Sequence, residues 1–248
     1  MTEKAPTAPH AKAADRFSVV IPVYNHGRTV ADVARRAREW NLPVFVVDDG
    51  STDDSYDNVK SIRDIEILRH PQNKGKGAAL IYAMTEAAGV ADWAICLDAD
   101  GQHDPTQIGV FISAAAGGKR DIVVGKRSGM ETAPWTSRFG RKFSNFWVRA
   151  SGGPPITDTQ SGFRMYPLPE VLRLKTRARR YQYEVEVLAK ARWAGIGTVE
   201  VPIHATYDPQ VPRISHFKPW HDFWRNAGTF SRLIFRRIFS PRLWFLTG

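Results

Sequence analysis

Short β-branched runs alternate with segments of helical spacing along this chain, and that alternation constrains its fold more than any other feature. Phe17 to Pro22, Val44 to Val47, Ile65 to Leu68, Trp93 to Leu97 and Asp121 to Gly125 are rich in Val, Ile and aromatic residues and bounded by turn formers, the pattern of buried strands. Between them, Thr29 to Trp40 places Val30, Val33, Ala34 and Ala37 at helical spacing, with Thr29 as the expected N-cap. Lys76 to Ala88 reads as a further helix behind a Gly-Lys-Gly sequence. Strands alternating with helices in this way form βαβ units with parallel strands. The expectation is an α/β fold with a mostly parallel central sheet flanked by helices.

In such sheets, ligands bind beyond the carboxyl ends of the strands. The polar residues of this chain gather there: Tyr24 and Asn25 after the first strand, Asp48 and Asp49 after the second, Asp98 and Asp100 after the fourth, Lys126 and Arg127 after the fifth. In Asp98-Ala99-Asp100 the two carboxylates are two residues apart. If the extended backbone continues, both project to one side. An oxygen-rich pair of this kind suits Mg2+ or Mn2+, and such ions keep positions for water and substrate phosphates, which implies a nucleotide. The bland alternative is a solvated acidic turn. Asp48-Asp49-Gly50-Ser51 offers a carboxylate to a base or ribose, or is simply an Asp-Gly turn. Asn73 to Gly77 lacks the Walker spacing, and no Gly-x-Gly-x-x-Gly follows a strand, so an ATPase or nicotinamide enzyme is disfavoured. The histidines suggest no metal site, and His103 is as well explained by turn packing as by ligation.

Charge narrows the partners. The 35 Lys and Arg against 25 Asp and Glu leave a formal net charge of +10. That balance points to a polyanion: nucleic acid, an anionic membrane face or a phosphorylated substrate. The basic residues cluster in Lys119 to Arg149, Arg173 to Arg180 and Arg213 to Gly248. The lone Cys96 excludes an internal disulfide and a Cys-based zinc site. No uncharged apolar run approaches the roughly 18 residues of a membrane span, and Met1 to Asp15 does not read as a secretory signal. Three segments follow: a disordered arm over 1–16, a catalytic domain over 17–212, and a basic, aromatic, amphipathic segment over 213–248.

Five motifs in order carry a resemblance. Val20-Ile-Pro-Val-Tyr-Asn25, Val46-Val-Asp-Asp-Gly-Ser51, Asn73-Lys-Gly-Lys-Gly77, Leu97-Asp-Ala-Asp-Gly-Gln102 and Asp158-Thr-Gln-Ser-Gly-Phe163 resemble family 2 glycosyltransferases of the GT-A, Rossmann-like fold. The nearest branch is the dolichyl- or polyprenyl-phosphate sugar synthases, through Asp98 to Pro105 and Asp158 to Arg164. The resemblance covers about Phe17 to Tyr207 and implies donor-binding roles for Pro22, Tyr24, Asn25, Asp49 and Lys76. It implies that Asp98, Asp100 and Gln102 hold Mg2+ or Mn2+ and the pyrophosphate of a UDP- or GDP-linked sugar. Arg127 would face phosphate, and Asp158 would stand on the acceptor side near the reacting centre. Two departures qualify the match. His26 replaces the acidic residue that commonly follows Tyr-Asn, and Ala189 stands four residues before Trp193, so the Gln-x-x-Arg-Trp signature of processive synthases is absent.

The expected reaction is an inverting single displacement onto a lipid acceptor. A lipid phosphate is already ionised and needs no strong base, only positioning by cations. A hydroxyl acceptor would need a carboxylate to take its proton, with Asp158 first and Glu184 behind it. Arg138, Arg141, Lys142 and Ser144, with Arg213, are the expected acceptor-phosphate residues and favour the first case. The competing reading is a catalytically degenerate scaffold on membrane or nucleic acid; no nucleic-acid module supports an RNA or DNA partner. At the C-terminus, Trp220, Phe223, Trp224, Ala227, Phe230, Ile234 and Ile238 recur at helical spacing opposite Arg225, Arg232 and Arg236. That helix either docks on the protein by its apolar face or lies on an anionic membrane with Trp244 and Phe245 continuing the contact. The expectation is a cytoplasmic protein held peripherally at the membrane.

Overall fold

The computed structural model describes residues 15–128, 135–205 and 219–239, with only the backbone described for 135–139 and 219–227. Seven strands form one sheet: β1 (Phe17–Val23), β2 (Val44–Asp48), β3 (Glu66–Arg69), β4 (Trp93–Cys96), β5 (Ile122–Ser128), β6 (Arg164–Pro167) and β7 (Thr198–His204). Their order is β3-β2-β1-β4-β6-β5-β7. All neighbours are parallel except β6, which runs antiparallel to both β4 and β5.

Side-chain alternation along each strand builds a core on each face. Val19, Ile21 and Val23 of β1 join Val44, Val46, Trp93 and Ile95 in one core, beneath α1 (Gly27–Arg38), α2 (Ser55–Lys60) and α4 (Ile108–Ala115). Val20, Phe45, Val47, Ala94 and Cys96 face the opposite core, closed by α3 (Lys76–Ala87), α6 (Glu170–Arg173) and α7 (Tyr183–Trp193). A smaller cluster of Val148, Val185 and Phe230 joins α7 to α5 (Trp135–Ala150) and α8 (Pro219–Phe239). The expected layering of helices on both faces is therefore present.

Several details differ from expectation. Thr29 is not the N-cap: α1 begins at Gly27 with His26 in the cap position, and the Thr29 hydroxyl instead donates to the Ala99 carbonyl at 2.5 Å. Lys126 and Arg127 lie within β5 rather than after it, because pairing with β7 extends the strand to Ser128. Arg16, expected in a loose arm, donates from its backbone to Asp92 Oδ2 at 3.0 Å; residues 1–14 lie outside the described residues. For α8, the described side chains settle the choice between protein and membrane for one face. Phe230 and Leu233 are 3% and 1% exposed and pack inward, so the helix docks on the protein by that face. Trp244 and Phe245 lie outside the described residues.

Candidate active site

The turns after β1 and β2 are stitched to each other. Asn25 takes a left-handed backbone (φ 55°), which Asn tolerates better than most residues. Its side-chain carbonyl accepts from Thr52 N at 2.9 Å, and its own N–H donates to Ser51 Oγ at 3.0 Å. The His26 and Gly27 N–H groups donate to Ser55 Oγ and Asp53 Oδ2. Pro22 is buried inside β1 and Tyr24 is half-buried beyond it. Asp49, only 2% exposed, accepts from Lys74 N (3.0 Å) and Gly75 N (2.7 Å) and pairs with His70 Nδ1 at 2.7 Å. Its observed work is to fold the Asn73–Gly77 loop onto the sheet edge.

That loop aims Lys76. Gly75 sits at φ 101°, and a Cβ there would meet Arg179 O at 2.6 Å; at Gly77 it would meet Tyr183 Cβ at 2.5 Å. Both glycines thus let the start of α3 press against residues 179–183. Lys76 Nζ bridges Asp98 Oδ1 at 2.6 Å and Glu184 Oε1 at 2.7 Å. Burial works against its charge, but the two carboxylates outweigh it and hold the ammonium above its ordinary pKa. Reciprocally, burial would raise the Asp98 carboxyl, and Lys76 leads the groups that pull it below its ordinary value.

After β4 the backbone does not stay extended. It turns at Ala99-Asp100, with Gly101 at φ 76°, and this turn rather than a continuing strand brings the two aspartates together. Asp100 accepts from Gln102 N (3.0 Å) and Gln102 Nε2 (2.9 Å), so Gln102 orients a carboxylate. The Asp100 carboxyl is raised, first by burial and then by the charge of Asp98. Two hard oxygen groups that repel each other's charge are what a divalent ion would relieve, so this pair fits Mg2+ or Mn2+. Among the described residues no third His, Cys, Asp or Glu completes a cluster. An open set of that kind suits an ion that keeps water and phosphate ligands. His103 is 4% exposed and packs 5.4 Å from the Phe163 ring.

The other half of the site is locked. Arg127 forks onto Asp158, Nε to Oδ2 and Nη2 to Oδ1 at 2.8 Å each, and Asp158 is fully buried. Glu200 of β7 accepts from the Thr157 and Asp158 N–H groups at 2.8 and 2.9 Å. Arg164, also fully buried, donates to the Ser161, Thr159 and Glu184 carbonyls. These bonds draw Ser161-Gly162-Phe163 across the donor side, where a Cβ on Gly162 would lie 2.2 Å from Asp98 Oδ2. The close approach admits only glycine.

Of the expected acceptor residues, Ser144 is 5% exposed and its hydroxyl is hydrogen-bonded to that of Thr159 at 2.9 Å, so it braces the loop. Arg141 is half-buried and Lys142 exposed on α5. Arg138 is described as backbone only, and Arg213 lies outside the described residues. Sequence reasoning missed Glu200 and Asn145. Asn145 binds Thr157 O and both the N–H and hydroxyl of Thr159. The available signal for Glu200 was a carboxylate between Val199 and Val201 on an alternating strand.

The fold is that of GT-A glycosyltransferases. Its similarity to solved structures extends to glucosyl-3-phosphoglycerate synthase of Mycobacterium tuberculosis, crystallised with Mg2+ and UDP. The TM-score is 0.65 and the identity 18%, over 91% of this chain and 80% of that one. It extends also to mannosyl-3-phosphoglycerate synthase of Rubrobacter xylanophilus, with TM-score 0.61 and 16% identity over 90% and 74% of the two chains. The sequence profile of glycosyl transferase family 2 matches residues 18–170, and the chain belongs to that family. It is a glycosyltransferase. Over 213 residues it is 30% identical to UDP-N-acetylglucosamine–dolichyl-phosphate N-acetylglucosaminyltransferase of Methanococcus voltae, covering 76% of this chain and 85% of the relative. A dolichyl-phosphate beta-glucosyltransferase of Trichomonas vaginalis is also 30% identical over 213 residues, covering 74% and 62%.

Proposed function

We propose that the protein moves a sugar, with inversion, from a UDP- or GDP-linked donor to a lipid phosphate such as a polyprenyl phosphate. One observation carries the acceptor class. Asp158, the foremost base for a hydroxyl acceptor, has both oxygens held by Arg127, and Glu184 has one on Lys76. A carboxylate with both oxygens turned onto a guanidinium is not presented to an acceptor hydroxyl, whereas an ionised phosphate oxygen needs no base. The dolichyl-phosphate acceptors of both curated relatives agree with that chemistry.

In this reading the Asn25 and Asp49 turns shape the nucleoside end of the donor pocket. Asp98 and Asp100 would hold a divalent ion, whose chemistry when bound is to neutralise charge on the departing diphosphate. Lys76 keeps Asp98 ionised for that task. The Arg127–Asp158 pair sets the wall past which the acceptor phosphate reaches the anomeric carbon, and Arg141 and Lys142 lend positive potential.

The test is a panel of UDP- and GDP-sugars with Mg2+ or Mn2+, with and without polyprenyl phosphate, read as sugar entering the lipid phase. Transfer dependent on the lipid phosphate and abolished by EDTA is expected. Transfer to hydroxyl lipids but not to the phosphate would overturn the acceptor class, and full activity in EDTA the metal.

A further inference from the structure

Docking α8 on the protein leaves a second apolar surface on the same helix. Phe235, Ile238 and Phe239 are 63%, 61% and 67% exposed, and the rings of Phe235 and Phe239 lie 4.4 Å apart. Phe230, by contrast, is buried against Trp147 and Val148 of α5, and Leu233 is 1% exposed. Large apolar groups this exposed on three neighbouring positions are uncommon on a monomer surface unless they meet something.

Charge identifies the partner. From Phe223 to Gly248 the sequence has Arg225, Arg232, Arg236, Arg237 and Arg242 and no acidic residue. The helix packed beside it, α5, carries Arg138, Arg141, Lys142 and Arg149, again with no acid. Two of the α8 arginines have structural duties: Arg237 donates to Ala150 O at 2.8 Å, and Arg232 lies 3.5 Å from Glu186. Neither tie changes the sign of the surface. An identical copy would bring the same positive face against this one, whereas aromatic and aliphatic groups framed by arginine match an anionic bilayer surface. No helix among the described residues is long and apolar enough to cross a membrane, so contact at this face would be interfacial.

We infer that the Phe235–Ile238–Phe239 face of α8 inserts into the headgroup region of an anionic bilayer, with the surrounding arginines on lipid phosphates. The inference does not depend on the acceptor: the binding is to lipid bulk.

The experiment is co-sedimentation of the full chain with phosphatidylcholine vesicles containing or lacking phosphatidylglycerol. Binding to the anionic vesicles that weakens with salt is expected, and little binding to the neutral ones. The variant F235S/I238S/F239S should bind about tenfold or more weakly, because three large side chains no longer enter the interface. Its thermal midpoint should match the parent's, since the substituted side chains are exposed. Equal vesicle binding by parent and variant, or none by the parent, would overturn the inference. So would a parent dimer in analytical ultracentrifugation that the variant loses, because the face would then belong to a second copy.

Discussion

Gly162 is the residue on which the two halves of the site depend. Its hydrogen faces Asp98 and Lys76 where any Cβ would collide, so Gly162→Ala must push the Ser161–Phe163 segment or the Asp98 carboxylate aside. A displacement on the order of 1 Å at a reacting centre costs about 10²-fold in rate. A loss of that size in kcat/KM with the thermal midpoint nearly kept is expected, and wild-type turnover would show that the crossing is incidental. Lys76→Met probes the ion pair beneath. It leaves Asp98 and Glu184 side by side without their shared cation, and breaking a buried pair from one side should cost about 2–4 kcal/mol in denaturant unfolding at neutral pH. A change under about 0.5 kcal/mol would mean that the carboxylates find relief elsewhere. Asp98 and Asp100 were legible as a short motif at a strand end, and Lys76 and Asp158 through the family resemblance of their motifs. Their partners were not. Glu184 for Lys76 and Glu200 for the Asp158 loop come from distant helices and strands, and spacing along the chain carries no trace of such a meeting.

Elements divide by the same logic. β1, β2 and β4 were readable because strands buried on both faces are continuous apolar runs. β6 was not, since Arg164 opens it and Pro167 ends it; its buried guanidinium is received by two carbonyls of the preceding loop and one of α7. α5 was read as a basic patch, its aromatics masked by the charge between them. Among the described side chains of α8, Phe230 stacks 5.8 Å from Trp147. Phe230→Ala should cost about 3 kcal/mol of local docking and raise hydrogen exchange across 219–239 while leaving β1–β4 protected. Unchanged exchange in α8 would show that other contacts hold it. Glu186 ties α7 to the preceding loop, accepting from Arg177 N and Ala178 N and pairing with Lys190. Burial pushes its carboxyl up, but these partners prevail and hold it below its ordinary 4.5. A depressed folded pKa gives stability that is present above about 4.5 and lost as pH falls through the folded value. Glu186→Gln should therefore flatten part of the acid limb of a stability–pH curve, and an unaltered limb would count against this assignment.

At the scale of the whole molecule, the net charge and the two-faced core follow from composition and alternation, while the sheet order does not. Inserting antiparallel β6 between β4 and β5 has a consequence for how the protein is made. A ribosome releases β1 to β4 first, and until Arg164–Pro167 emerges the outer edge of β4 shows unpaired N–H and C=O groups to its surroundings. β5 is released earlier than β6 but cannot close that edge, because β6 lies between them. Nascent chains stalled before Arg164 should thus aggregate or recruit chaperones, and those stalled once β6 has cleared the exit tunnel should gain protease resistance across β1–β4. Equal resistance at both lengths would show that the first four strands close without it. The half of the protein carrying Asp98 and Asp100 is synthesised early and waits, edge open, for one short strand translated far downstream.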